Sequence, residues 1–268
     1  VGPDEVEKLL RHGRSWLAAH PEKEAIARRY LRLKSLTRTA LARLAGEGDP
    51  DPDGTRERLD EEEGRVEKGL SLAVIRREVV VEVLLAAGAR RVLDLGCGEG
   101  RLLRDLIKKP RFREIVGVAV SSRALAVAAR RLRLDTMPEA RRRRIRLLHG
   151  SLMYRDERLA GFDAAAVVEV VEHLDPPKLA AFERVVFGEA RPGTVVVTTP
   201  NVEYNVMWPT LPAGSFRHGD HRFEWTRAEF EAWANRVAGE HGYRVRFAPI
   251  GPVDPAVGAP TQMGIFER

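Results

Sequence analysis

Two short stretches carry the residue types that bind divalent cations or move protons. The first is VVEVVEH, which holds Glu169, Glu172 and His173 within five positions. The second is RHGDHRFEWT, residues 217–226, which holds His218 and His221 between Arg217 and Arg222. The bland readings stand beside these. The first stretch could be a solvated loop with Asp175 capping the next helix, and each histidine alone could be a surface residue. Phe223 and Trp225 alternate with polar neighbours, so they are expected to anchor the second stretch to a core.

A third stretch, VLDLGCGEG over residues 92–100, places Asp94, Gly96, Gly98 and Gly100 between an apolar run and a helical one. Glycines let a turn bend tightly and approach a ligand where a Cβ would clash. Dinucleotide-binding folds use a related turn, but Asp94 and Glu99 would repel a pyrophosphate. They suit a sulfonium or the ammonium group of an amino acid.

The elements that must position these residues alternate. Apolar runs at 92–95, 115–120, 145–148, 162–168 and 194–199 read as strands, with 243–249 and 263–266 closing the series. Helical patterns fall at 102–107, 122–134, 177–189 and 226–238, with Thr226 and Glu229 spaced as a capping box. The segment 200–225 reads as long and irregular, and such loops are usually functional or disordered. Strand–helix alternation predicts an α/β fold with a doubly wound sheet. Upstream, residues 4–45 read as two helices broken at His20-Pro21, and 46–62 read as an acidic Pro/Gly linker. Helix resumes over 63–88. The expected organisation is a helical extension and linker over 1–62, then a catalytic domain over 63–268.

Composition narrows the class. The 268 residues carry a net charge of +6, with 45 Lys+Arg against 39 Asp+Glu, which suits a polyanionic partner or a generally basic proteome. The one cysteine, Cys97, excludes an internal disulfide and fits a reducing compartment. No run of about 18 uncharged apolar residues is present to cross a membrane. Nothing at Val1 reads as a signal peptide, so a cytoplasmic location is expected. The start at Val-Gly-Pro, without Met, is read as the start of a fragment.

The glycine turn resembles the first motif of class I methyltransferases, which bind S-adenosylmethionine there. The resemblance implies a seven-stranded, mostly parallel Rossmann-like sheet, with Asp94, Gly96, Gly98, Ser151 and Leu152 around the cofactor. The second strand departs from the pattern. Such enzymes carry an acidic residue near Ala119 to grip the cofactor ribose, and Ala cannot accept those bonds. Losing charge-assisted hydrogen bonds costs about 1.5–3 kcal/mol each, or about tenfold or more in affinity. An engineered change, a natural weak binder and compensation by a neighbour all remain open.

The segments GSLMYRD (150–156), FDAAAVVEVVEHLD (162–175), TTPNVEYN (198–205) and HGDHRFEWTRAEF (218–230) together resemble the HUA-enhancer family. These are small-RNA 3′-terminal 2′-O-methyltransferases, and the likeness is to their bacterial branch, over about residues 90–247. It implies that Glu169, Glu172, His173 and His221 hold one divalent cation, Mg²⁺ or Mn²⁺ foremost. It also implies that Arg217, His218 and Arg222 contact RNA or support the ligands. His221 is preferred to His218 because it lies in the DHRFEW stretch. The stretch before residue 90 resembles the one preceding the methyltransferase domain in bacterial members, which act in RNA repair with a polynucleotide kinase-phosphatase. Two other functions compete: a metal-free small-molecule O- or C-methyltransferase, which can carry a similar E-x-x-E-H stretch, and a catalytically impaired RNA-binding subunit. The run Arg141–Arg144 reads as a solvated loop more readily than as a phosphate contact.

Overall fold

In the computed structural model, the residues described are 71–268 together with 9, 17, 20, 22–31 and 64. Most of the expected extension, and the linker at 46–62, lie outside them. Within the extension, α1 spans Lys23–Tyr30. Helix α2, Leu72–Ala86, falls within the helix expected over 63–88.

Seven strands follow. They are β1 (Arg91–Leu95), β2 (Glu114–Ala119), β3 (Ile145–His149), β4 (Ala164–Val168), β5 (Thr194–Pro200), β6 (Arg244–Ile250) and β7 (Thr261–Glu267). They form one sheet in the order β3-β2-β1-β4-β5-β7-β6, with β7 antiparallel to both its neighbours and the remaining pairs parallel. The direction of chain progression reverses between β1 and β4. In open α/β sheets that switch point is where ligands bind, beyond the carboxyl ends of the strands. The glycine turn leaves β1 there, and Glu169 leaves β4 there.

Strand alternation sorts the core onto two faces. On one face Val92, Ala164, Ala166 and Val196 share a core with Val80 and Leu84 of α2 and with Leu103 of α3 (Arg101–Leu106). Leu93, Leu95, Val167 and Val195 pack on the other face with Phe182, Phe187 and Phe230. All seven residues of β5 are buried, which explains why the central strands read as unbroken apolar runs. Helix α4 (Ser122–Leu132) follows β2, and a short helix α5 (Glu139–Arg142) precedes β3. Arg141, Arg142 and Arg143 are exposed, whereas Arg144 donates to the carbonyls of Phe112 and Lys109. The arginine run is therefore solvated surface and a loop clamp.

One helix differs from expectation. The segment read as a helix over 177–189 is a 3₁₀ turn at Pro176–Lys178, a short α6 at Leu179–Glu183 and a π-helix at Arg184–Ala190. Asp175 makes no side-chain cap. The second amide it would bind is that of Pro177, which has no N–H. Its carboxylate instead pairs with Lys178 at 2.8 Å and Arg222 at 3.4 Å.

Helix α7, Arg227–His241, holds the end of the irregular segment in place. Thr226 Oγ1 accepts from Glu229 N at 3.2 Å, and the Glu229 carboxylate accepts from Thr226 N at 2.8 Å, completing the capping box. Trp225 then stacks on Trp233 with ring centroids 5.1 Å apart. Thr226→Ala is expected to cost about 1 kcal/mol of stability and lower the melting temperature by about 2–4 °C. Thermal denaturation checks this, and an unchanged midpoint would mean the cap carries no weight.

Candidate active site

The glycine turn meets its spatial demands at two positions. Gly96 has φ +87°, and an added Cβ would lie 2.5 Å from Val170 Cγ2. Gly98 has φ +48° and opens on empty space, so a side chain there would fill the cavity instead of clashing. That cavity holds about 320 Å³ and is bordered by Gly96, Gly98, Ala119, Ser151, Leu152 and Glu169. Residues expected around a cofactor at 96, 98, 119, 151 and 152 thus line one space. Asp94 sits two residues before Gly96 and is buried, with Oδ2 making no hydrogen bond among the described residues. Burial pushes its pKa up to about 7. Unlike the other residues expected around a cofactor, Asp94 is not on the cavity wall.

Ala119 ends β2 on the cavity wall, and its methyl offers no acceptor. Two polar neighbours share the wall. Ser121 Oγ accepts from Ala124 N at 3.1 Å as the cap of α4, and Glu99 pairs with Arg131 at 2.6 Å.

The carboxyl end of β4 carries the second half of the site. Glu169 has φ +53°, the left-handed region that non-glycine residues seldom occupy. Its N–H donates to Thr198 O at 3.1 Å, and Thr198 Oγ1 donates back to Glu169 Oε1 at 2.9 Å. Oε2 pairs with Arg76 at 3.0 Å and lies 3.9 Å from Arg217. Arg76 reaches it from α2 while also donating to Thr261 Oγ1 at 3.1 Å. Glu172 and His173 follow in a 3₁₀ turn, Val171–His173. Glu172 is fully buried and accepts from Thr199 Oγ1 at 3.2 Å.

The irregular segment folds back over this turn. Arg222 N donates to Glu172 O at 2.7 Å. The fold-back gathers His173, His218 and His221, each offering a ring nitrogen within 4.8 Å of the others. The rings of His173 and His221 meet edge to face with centroids 4.9 Å apart. His221 is buried, and desolvation followed by the neighbouring histidines holds its pKa well below the usual value. It is therefore a neutral imidazole at pH 7, the form that ligates cations.

Hydrogen-bond partners separate the two histidines of the segment. Asp220 N donates to His218 Nδ1 at 3.0 Å, so that nitrogen is an acceptor and a neutral His218 carries its proton on Nε2. His221 Nδ1 lies 2.6 Å from Glu224 Oε1, a contact whose donor depends on the ring tautomer. Arg217 and His218 are buried, at 3% and 2% exposure, so neither presents a surface to an incoming nucleic acid. Arg222, also expected as an RNA contact, lines the cavity. Two partners went unread in the sequence: Arg76, from a helix with no recognised chemistry, and Glu224, hidden in the FEWT stretch as a spacer between aromatics.

The sheet order, the glycine turn at the switch point and the cavity above it define a class I, S-adenosylmethionine-dependent methyltransferase fold. Residues 92–193 match a family described as methyltransferase domain, and residues 1–45 match one described as the RNA repair, ligase-Pnkp-associating region of Hen1. The methyltransferase domain of bacterial CtHen1 superposes with a TM-score of 0.69 at 51% identity, covering 74% of this chain and 100% of that one. The small RNA methyltransferase HEN1 gives a TM-score of 0.68 at 33% identity, over 74% of this chain and 25% of that one. A small RNA 2′-O-methyltransferase of Mus musculus is 41% identical over 187 residues, which is 67% of this chain and 46% of the relative. The chain belongs to the Hen1 family of small-RNA 2′-O-methyltransferases. It spans about half the length of the vertebrate relatives it matches.

Asp94 sets a testable sign. Its folded pKa of about 7 exceeds the ordinary 3.8, so the folded protein holds a proton that the unfolded chain has released between those values. Stability from this group is therefore present at low pH and is lost as pH rises towards 7. Asp94→Asn should stabilise the ligand-free protein at pH 8 and do so progressively less towards pH 4. Denaturant melts across that range check this, and a pH-independent gap would contradict it.

Proposed function

We propose that this chain transfers a methyl group from S-adenosylmethionine to the 2′-hydroxyl of the 3′-terminal nucleotide of an RNA, with the help of one divalent cation. The observation that carries the reading is the gathering of His173, His218 and His221 next to a cofactor-sized cavity that Glu169 and His173 line. A binding pocket for a small apolar acceptor would have no use for that set.

The donor chemistry fits a cation. Carboxylates with imidazoles suit Mn²⁺ or Co²⁺ and admit Mg²⁺. Glu169, Glu172, His173 and His221 are the proposed ligands. His218 is less suited, because its Nδ1 already accepts from Asp220 N. Once bound, the cation would lower the pKa of the 2′-hydroxyl and hold the 2′- and 3′-oxygens together. An internal nucleotide has its 3′-oxygen in a phosphodiester, so selection of the chain end follows.

The remaining work falls to the protein. Gly96 and Gly98 clear room for the methyl donor, Asp94 is buried just before the glycine turn, and Ser151 and Leu152 border the donor's adenine. Glu169 spans the cavity and the cation site, so donor and acceptor are held by one residue; orientation of this kind supplies much of the rate in methyl transfer. Arg222, which lines the cavity with Arg123 and Lys178 and pairs with Asp175 and Asp220, is in this reading the residue that meets a phosphate. Arg217 acts inside, as a counter-charge to Glu169.

The match of residues 1–45 to a ligase-Pnkp-associating region supports a setting in bacterial RNA repair, beside a polynucleotide kinase-phosphatase. In this reading residues 1–62 are the associating extension and linker, and 63–268 the catalytic domain. No helix among the described residues is long and apolar enough to cross a membrane.

The test is methyl transfer from labelled S-adenosylmethionine to a short single-stranded RNA, with and without Mn²⁺. We expect transfer that needs the cation and is abolished by either a 2′-deoxy or a 3′-phosphate end. Transfer to the 2′-deoxy end, or none to any end while the cofactor binds, would overturn the proposal. In the same assay Ala119→Asp should tighten cofactor binding by about tenfold or more. Unchanged affinity would mean that Ser121 or Glu99 already serves the ribose.

A further inference from the structure

Glu224 is the most tightly held carboxylate in the irregular segment. Its side chain is 0% exposed. Oε1 accepts from Arg217 N at 2.7 Å and faces His221 Nδ1 at 2.6 Å, while Oε2 accepts from Asn205 Nδ2 at 2.6 Å. The partners come from three separate points along the segment. Asn205 lies in the 3₁₀ turn Val202–Met207, and its amide also donates to Ser215 O at 3.3 Å. One carboxylate thus draws residues 205, 217 and 221 together.

Another buried glutamate, Glu183, shows the contrast. Glu183 binds Trp233 Nε1 at 2.7 Å and the Arg236 guanidinium at 2.8 Å, all within the helical layer and away from the cavity. Glu224 spends its acceptors on a loop and on an imidazole of the candidate site. Burial pushes the Glu224 pKa up, but both its oxygens accept, from Arg217 N and Asn205 Nδ2. As a carboxylate it only accepts, and the 2.6 Å contact then calls for the imidazole proton on Nδ1. The lone pair is then on Nε2. A carboxylate behind a histidine in this way fixes ring orientation and raises ligand basicity, and its loss typically weakens cation binding about 10–100-fold.

We infer that Glu224 is a positioning residue: it fixes His221 as the Nδ1–H tautomer, with the Nε2 lone pair available to a divalent cation, and locks residues 205–224 in the shape that assembles the imidazole cluster. The consequence for a cation rests on the reading of His221 as a ligand. The tautomer and the lock do not.

The experiment uses the full chain labelled with ¹⁵N-histidine, His221 being assigned by loss of its signals in His221→Ala. Long-range ¹H–¹⁵N correlation should find His221 in the Nδ1–H form. Glu224→Gln, whose amide can either donate or accept, should shift it to the Nε2–H form or a mixture. Mn²⁺ affinity, followed by electron paramagnetic resonance, should fall about 10–100-fold in that variant, with S-adenosylhomocysteine affinity unchanged. An Nε2–H proton on His221 in the unaltered protein would overturn the inference, whether or not the variant folds. So would a tautomer and Mn²⁺ affinity both indifferent to Glu224→Gln. If the unaltered protein shows the Nδ1–H form but binds no Mn²⁺, the cation reading fails while the assignment of Glu224 stands.

Discussion

The site hangs on the backbone turn at Glu169. A β-strand continuing straight from Val168 would carry the next residues past the sheet. Instead the chain enters the left-handed region at a non-glycine residue, at a cost of order 1–3 kcal/mol. The turn persists because it is stapled from both sides: its amide and carboxylate to Thr198 on β5, its other carboxylate oxygen to Arg76 on α2. That reversal puts Glu169 on the cavity wall, and the 3₁₀ turn that follows brings His173 against His221 while the Glu172 carboxylate accepts from Thr199 on β5. Val170 fills the space that Gly96 leaves open, so the turns after β1 and β4 close on each other. Without the reversal, the glycine cavity and the imidazole cluster would be separate features.

Electrostatics divide the site in two. On β1, just before the glycine turn, Asp94 is buried with Oδ2 making no hydrogen bond among the described residues, and burial raises its pKa. On the acceptor side, the carboxylates are compensated internally, Glu169 by Arg76 and Arg217. Burial that keeps His221 neutral and a carboxylate that orients it are two halves of one arrangement: the ring is uncharged and pointed. Such preorganisation costs stability in the free protein and lowers the reorganisation needed when ligands arrive.

Much of this was legible in the sequence because it is local. Apolar runs marked the strands, since central parallel strands are buried on both faces. Thr226 and Glu229 marked the start of α7, since a capping box needs only four consecutive residues. The glycine turn and the E-x-x-E-H stretch revealed themselves by spacing. What stayed hidden depends on distant partners. Asp175 looked like a cap until Pro177 and the salt bridge to Arg222 claimed it. Sequence left open whether Arg217 and His218 contact RNA or support the ligands, and only the fold-back of the 200–225 segment shows that both are buried. Arg76 is 93 positions from Glu169 in the chain. No pattern in α2 signals their contact, and Glu224 reads as a plain polar spacer between two aromatics until the loop closes around it.

The central claim is that the turn at Glu169 joins a methyl-donor cavity to a cation centre. The most direct measurement is a crystal structure grown with S-adenosylhomocysteine and Mn²⁺, with the cation located by its anomalous scattering. The account predicts one strong peak bound by Glu169, Glu172, His173 and His221, with the cofactor product resting against Gly96 and Gly98. A peak elsewhere, or an ordered cofactor product with no peak at the imidazoles, would contradict it.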